Sequence, residues 1–394
     1  MYHRSRFLDL VGQTSSSPQG FEISRAEGVW LYDQSGVAYL DLISGFGVSN
    51  MGHAHPAIVE AIQVQSKLYL HTNVYGEHVQ NPQNQLAALL RSILPSSLHQ
   101  IYYLSTGSEV IDAAIKLARS YTGRVEIVVL HHSYHGSTMA AESLRSDRAH
   151  TAHFLPLIPG VRFIHANDFE GLDKISERTA LVLIEPIQAE AGVIAMDEKW
   201  LKALRSKCNT HGALLAFDEI QTGFGRTGTM FAFQNLNVIP DLLLLGKALG
   251  GGLPLAALVS SGELLASLAQ SPALGYITTF GGNPLCCAAG GAHLKAMLQE
   301  EVLLGISIRS DLIRSILNNP LIKEIRIKGL FAAIEFENEK LVHSIVKKAR
   351  EEHILLDSFL FRPSALRIAP PLNIPLDILE DACQRMNLWI EEAR

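Results

Sequence analysis

From about residue 55 onward, short apolar runs alternate with helix-length amphipathic stretches. Residues at 3.6-fold spacing predict helices over 56–70, 84–92 and 109–120. Strand-like runs fall at Glu126–Leu130, 180–184, 213–217 and Leu242–Leu245. The last three are nearly all apolar, which suits strands buried on both faces of a mostly parallel sheet. The pattern therefore predicts an α/β fold with a mostly parallel central sheet. In such sheets ligands sit beyond the carboxyl ends of the strands. Directly after these runs come Glu185, Asp218 and Lys247, all charged.

The flanks read differently. The first fifty residues hold short strand-like pieces with turn punctuation, such as 29–32 followed by 33–36. Beyond about residue 300 the composition grows more charged, with helices and short strands. The expected division is 1–50 as the N-terminal part of a small domain, 51–290 as a large domain, and 291–394 as the C-terminal part of a small α+β domain. No internal repeat or low-complexity linker interrupts it.

Composition narrows the function. The chain has 394 residues, 47% of them hydrophobic, enough for a sizeable core. A formal net charge of −6, with no basic cluster, argues against nucleic acid or an anionic membrane as partner. The four cysteines, Cys208, Cys286, Cys287 and Cys383, include no CxxC pair, so reduced thiols are the simple reading. His131, His132 and His135, and separately His53 and His55, lack a third-ligand pattern, and no metal is expected. The N-terminal twenty residues lack the continuous apolar stretch of a signal peptide, and no uncharged apolar run approaches spanning length. A soluble cytoplasmic protein is expected.

Two of the charged strand ends carry recognisable chemistry. Lys247 issues from a buried apolar strand and precedes Gly250-Gly251-Gly252. Burial disfavours its charged form, and a neutral amine is what condensation with an aldehyde requires. Taken alone, Lys247 reads equally as a lysine snorkelling from a strand end. Asp218 suits pairing with a protonated ring nitrogen, or else caps the following turn. Asp218-Glu219 also resembles a magnesium-binding pair of ATPases, but GxxxxGK[ST] is absent.

The stretch 215–228, LAFDEIQTGFGRTG, then Pro240-Asp241, then Gly246-Lys247-Ala248-Leu249-Gly250-Gly251-Gly252 resembles the signature of class III aminotransferases. These are pyridoxal-phosphate enzymes of fold-type I, and the resemblance runs from Leu31 to Arg367. It implies that 51–290 binds pyridoxal 5'-phosphate, with Lys247 as Schiff-base lysine and proton shuttle. It further implies Asp218 as partner of the ring nitrogen and Gln221 near the ring hydroxyl.

Other segments gain meaning beside it. Ser105-Thr106-Gly107-Ser108-Glu109 opens an apolar-rich helix, and a helix N-terminus binds phosphate well. Thr106 and Glu109 also fit a capping box, and both readings can hold together. The resemblance makes Gly107 and Ser108 phosphate ligands and Tyr134 the aromatic against the ring. Thr278-Thr279-Phe280-Gly281-Gly282 is a turn as bare sequence. In the family its second hydroxyl, here Thr279, reaches the neighbouring subunit's phosphate, which implies a homodimer with composite sites. Arg367 suits a carboxylate but reads without the family as a surface ion pair. With it, Arg367 becomes the α-carboxylate anchor and Glu190 its partner when no α-carboxylate is present.

One departure touches the substrate. Ornithine- and acetylornithine-type members often carry Arg immediately after the aromatic-(His/Trp)-Gly segment; here that position is Ser137. Arg145 and Arg148 are the candidates to replace it. The expected activity moves an amino group from an ω-amino or ornithine/acetylornithine-like donor to an oxo acid, 2-oxoglutarate being the expected acceptor, in a ping-pong cycle. The rivals are a decarboxylase or aminomutase of the same fold, and a non-catalytic cofactor-binding protein.

Overall fold

The computed structural model describes residues 2–270 and 272–392. A seven-stranded sheet forms its centre: β1 (Gln100–Leu104), β2 (Glu126–Leu130), β3 (Val161–Ile164), β4 (Thr179–Ile184), β5 (Leu214–Asp218), β6 (Leu242–Leu245) and β7 (Ala256–Ser260). Its order is β1-β7-β6-β5-β4-β2-β3. All neighbours are parallel except β7, which runs antiparallel to β6 and β1.

The uninterrupted apolar runs follow from burial on both faces. Successive side chains point to opposite faces, so Leu214 and Ala216 enter one core while Leu215 and Phe217 enter the other. Leu242 and Leu244 divide from Leu243 and Leu245 in the same way. Helix α1 (Gly107–Thr122) covers the first face with Val110, Ile111, Ala114 and Leu117. The helix Glu198–His211 covers the second with Trp200, Leu201 and Leu204. Both end at a left-handed glycine, Gly123 and Gly212, where a side chain would be strained.

Two further sheets flank this layer. The antiparallel strands Ile23–Glu27, Trp30–Asp33 and Ala38–Asp41 are joined in parallel by the distant Ile354–Leu355. The antiparallel sheet of Glu324–Ile327, Ala332–Glu335, Arg362–Ile368 and Asp357–Phe359 carries Arg367. Arg226 ties these parts to the central layer. Its guanidinium donates to Ser44 Oγ at 3.0 Å, Asn50 Oδ1 at 2.7 Å, Leu330 O at 2.8 Å and Pro370 O at 2.7 Å. Complete burial pushes its pKa down to about 9, so those acceptors are what make a buried guanidinium tolerable. Among the described residues no helix is long and apolar enough to cross a membrane.

Candidate active site

The carboxyl ends of β4, β5 and β6 deliver Glu185, Asp218 and Lys247 to one cavity of about 180 Å³. Asp218 is the final residue of β5 rather than the first beyond it. Its Oδ1 accepts from the Ile220 amide at 3.0 Å, and Oδ2 lies 2.6 Å from His135 Nδ1. Both partners are buried. His135 is the residue that sequence reasoning missed: it was weighed only as a metal ligand. Its sequence signal is its position in the Tyr134-His135-Gly136 loop, a few residues beyond β2.

Lys247 projects into the cavity with Nζ donating to Gln221 Oε1 at 2.6 Å. Its backbone has φ +47°, a left-handed conformation that costs a non-glycine residue about 1–2 kcal/mol. Strain of this kind persists where the surroundings over-determine it. Burial draws its ammonium pKa down from 10.5 to about 8, partly opposed by the Glu190 carboxylate. Glu185 accepts from the amides of Tyr134 and Ala189, yet burial pushes its carboxyl up to about 7. Glu219 turns away into the core, where Ala232 N, Phe233 N and Thr222 Oγ1 donate to it. Those contacts leave it no part in a metal pair.

The opposite wall is the start of α1. Glu109 Oε2 accepts from the amides of Ser105 and Thr106, and Thr106 Oγ1 accepts from the Glu109 amide. The capping box is therefore real, and it leaves the first-turn amides of Gly107 and Ser108 without acceptors among the described residues. Gly136, at φ +124°, must be glycine: a Cβ there would stand 2.0 Å from Ser108 Oγ.

A second cavity, about 900 Å³, shares Tyr134 and Lys247 with the first. Glu190 lines it, and Glu190 Oε2 accepts from Arg367 Nη2 at 2.6 Å and from the Leu360 amide at 3.1 Å. Arg367 is 1% exposed, so the surface ion pair considered from sequence is excluded. Its Nε and Nη1 have no hydrogen-bond partner among the described residues. Burial works to raise the Glu190 carboxyl, but the Arg367 charge and the hydrogen bonds from Arg367 and the Leu360 amide together hold the group below its ordinary value. Arg145 lines the same cavity, whereas Arg148 is exposed. Thr279 is also exposed and lines neither cavity of its own chain.

A strand-end lysine, a buried Asp–His pair and free helix-start amides around one cavity place this geometry beside known proteins. The sequence profile of the family described as aminotransferase class-III matches residues 11–390. The chain belongs to the class III aminotransferases. An ornithine aminotransferase from Oceanobacillus iheyensis is 35% identical over 394 residues, covering 96% of each chain. An acetylornithine aminotransferase from Methanocaldococcus jannaschii is 37% identical over 363 residues, covering 88% of each. Among solved structures, an ornithine aminotransferase from Toxoplasma gondii superimposes with a TM-score of 0.90 at 28% identity, covering 99% of this chain and 94% of that one. That structure is described with pyridoxal phosphate at its active site.

This class III aminotransferase is a fold-type I enzyme that depends on pyridoxal phosphate. Its residues fit that cofactor. The free amides of Gly107 and Ser108 suit a phosphate, Asp218 a ring cation, and Lys247 an aldehyde. One consequence is measurable without substrate. Only the neutral Lys247 amine attacks an aldehyde, and its neutral fraction grows as pH rises through its pKa. Cofactor uptake by the stripped aminotransferase should therefore accelerate with pH and level off above about 8. Stopped-flow absorbance of reconstitution reads this directly; an inflection near 10.5, the ordinary lysine value, would show no depression.

Proposed function

We propose that this enzyme transfers an amino group from an ω-amino or ornithine/acetylornithine-like donor to an oxo acid, 2-oxoglutarate foremost, in ping-pong order. The observation that carries the reading is the buried Arg367–Glu190 pair at 2.6 Å, on the cavity that also receives Lys247. The names of the relatives support the donor class. A transaminase must admit two unlike substrates to one site. Glutamate or 2-oxoglutarate brings a carboxylate beside the reacting carbon, and a terminal amine brings only hydrogens. An unpaired buried guanidinium facing hydrogens is costly, and Glu190 neutralises it. When a carboxylate arrives, Glu190 moves aside and Arg367 binds the newcomer through its fork.

Placement around the cavity supports the other roles in this reading. Gly107 and Ser108 hold the cofactor phosphate, Tyr134 packs against the ring, Gln221 sits near the ring hydroxyl, and Asp218 pairs with the ring nitrogen. When bound, the cofactor supplies the aldehyde that takes up the amino group and a ring that accepts electron density from the substrate carbon. Lys247 Nζ binds the cofactor aldehyde at rest. Once displaced, the neutral Nζ would take the proton from the donor's amine-bearing carbon and deliver a proton to the carbon that had been the cofactor's aldehyde carbon. Gln221 Oε1 orients it for both.

We place 51–290 as the cofactor-binding domain, with 1–50 and 291–394 forming the smaller one. The active unit in this reading is a cytoplasmic homodimer with small-molecule substrates, neither nucleic acid nor membrane being a partner. Thr279 of each subunit then completes the partner's phosphate site. The exposed Phe280 beside it, with Leu68 and Leu70, supports such an interface.

Single-turnover absorbance separates the half-reactions. Glu190→Ala should slow the ω-amine half-reaction about tenfold or more while sparing the glutamate half-reaction. Arg367→Ala should chiefly impair glutamate and 2-oxoglutarate. Equal damage to both halves by Glu190→Ala would remove the switch and point to an ordinary α-amino donor.

A further inference from the structure

The larger cavity carries one carboxylate more than its cations balance. Arg145 is buried there, and Asp147 neutralises it through two parallel hydrogen bonds: Nε donates to Oδ1 at 2.9 Å and Nη2 to Oδ2 at 2.8 Å. That closed pair leaves Arg145 no net charge for a carboxylate, so it does not take over from the family arginine whose place Ser137 holds. Glu142, the last residue of the short helix Met139–Glu142, stands beside the pair. Its Oε2 lies 3.7 Å from Arg145 Nη1, beyond hydrogen-bond range. Glu142 is 4% exposed, and its Oε1 has no hydrogen-bond partner among the described residues. It lines the larger cavity with Lys247 and Glu190, but not the smaller one that holds Asp218.

The formal charges decide the sign. Arg367 and Glu190 cancel, and so do Arg145 and Asp147. His150 also touches Asp147, but it is exposed at the rim, where water and salt screen it. Glu142 remains over. A carboxylate withdrawn from water without a full partner is costly, and a ligand cation that reaches it relieves the cost. Phe46, Tyr134 and Phe154 line the same cavity and supply apolar surface for a chain of methylenes. The recess therefore suits a group that is apolar along its length and cationic at its tip.

We propose that Glu142 binds a second ammonium group of the amino donor, at the far end from the amine that reacts beside Lys247. This assignment rests on the transaminase reading and deepens it. The donor class is an amine with a free second amine, and N-acylated donors, which lack that charge, are disfavoured. A simple diamine and the α-ammonium of an ornithine-like donor present the same chemistry to Glu142. The carboxylate beside the reacting carbon of an oxo acid is held elsewhere, by Arg367.

Single-turnover absorbance of the holoenzyme tests this on the donor half-reaction alone. In one arm 1,4-diaminobutane, 1,5-diaminopentane and 1,6-diaminohexane are each paired with the monoamine in which a methyl replaces the far ammonium. In the other, ornithine is paired with Nα-acetylornithine. Within at least one arm the doubly aminated donor should react about tenfold faster or more, beyond what two equivalent ends supply, because charge-assisted hydrogen bonds contribute at that level. A gain in one arm only names the source, diamine or amino acid. Glu142→Gln keeps the shape and removes the charge, so the ratio in that arm should fall about tenfold, and Glu142→Asp should retain part of it. A general loss of folded or loaded enzyme slows both members of a pair alike, and the native comparison needs no variant. Equal rates within every native pair, or an unchanged ratio in Glu142→Gln, would overturn the assignment. Reaction with glutamate but with none of these amines would overturn it too, yet leave the transaminase reading standing. No reaction with any donor, glutamate included, would instead overturn that reading.

Discussion

Replacing Lys247 with alanine should lower transamination by about 10⁴-fold or more, the largest effect expected of any single substitution. General acid–base catalysis alone contributes about 10²–10⁴-fold, and in the proposed role this residue also supplies the covalent attachment. The structure places no second amine to take over the attachment among the described residues that line the two cavities. Nζ is held at 2.6 Å from Gln221 Oε1, and among the described cavity-lining residues Lys247 is the only lysine. Lys247→Ala should still bind the cofactor non-covalently, because Gly107, Ser108 and Asp218 remain. Single-turnover absorbance with glutamate measures the loss. Residual turnover within tenfold of the native enzyme would show that the proton moves through another group.

Asp218→Asn should slow proton abstraction about 10²-fold or more while leaving the cofactor bound. The substitution keeps size but removes one acceptor oxygen and the negative charge that, in the proposed role, stabilises the ring cation, and such electrostatic contacts commonly contribute about 10²–10³-fold. The 2.6 Å contact to His135 adds a second signature. Asparagine offers one acceptor oxygen where aspartate offers two, so it cannot accept from both His135 Nδ1 and the Ile220 amide, and the absorbance of the bound cofactor should change along with the rate. A primary deuterium isotope effect on the donor carbon checks which step slowed. Turnover near native would leave Asp218 as a turn residue whose Oδ1 merely receives the Ile220 amide.

The sequence made the central sheet and its chemistry legible because β4, β5 and β6 are buried on both faces. That burial writes itself as uninterrupted apolar runs, and a charged residue ending such a run stands out. Glu185, Asp218 and Lys247 converge on one cavity as those run ends suggested. The long-range pairings were not legible. Nothing near Ala38–Asp41 announces that Ile354–Leu355 will lie beside it, and nothing in the turn 224–228 announces that Arg226 will gather carbonyls from Leu330 and Pro370. Arg145 shows the same limit. From sequence it and Arg148 were equal candidates, and only packing directs one to the cavity and the other to solvent. His135 was hidden for a different reason: a histidine among histidines suggests metal, while its partner Asp218 lies 83 residues away.

The most direct test of the account is where the cofactor is attached. Borohydride reduction of the yellow holoenzyme, followed by proteolysis and mass spectrometry, should place a phosphopyridoxyl group on the peptide containing Gly246-Lys247-Ala248, with loss of the visible band. The modification on any other lysine, or none with the band intact, would contradict the assignment of Lys247 and the site built around it.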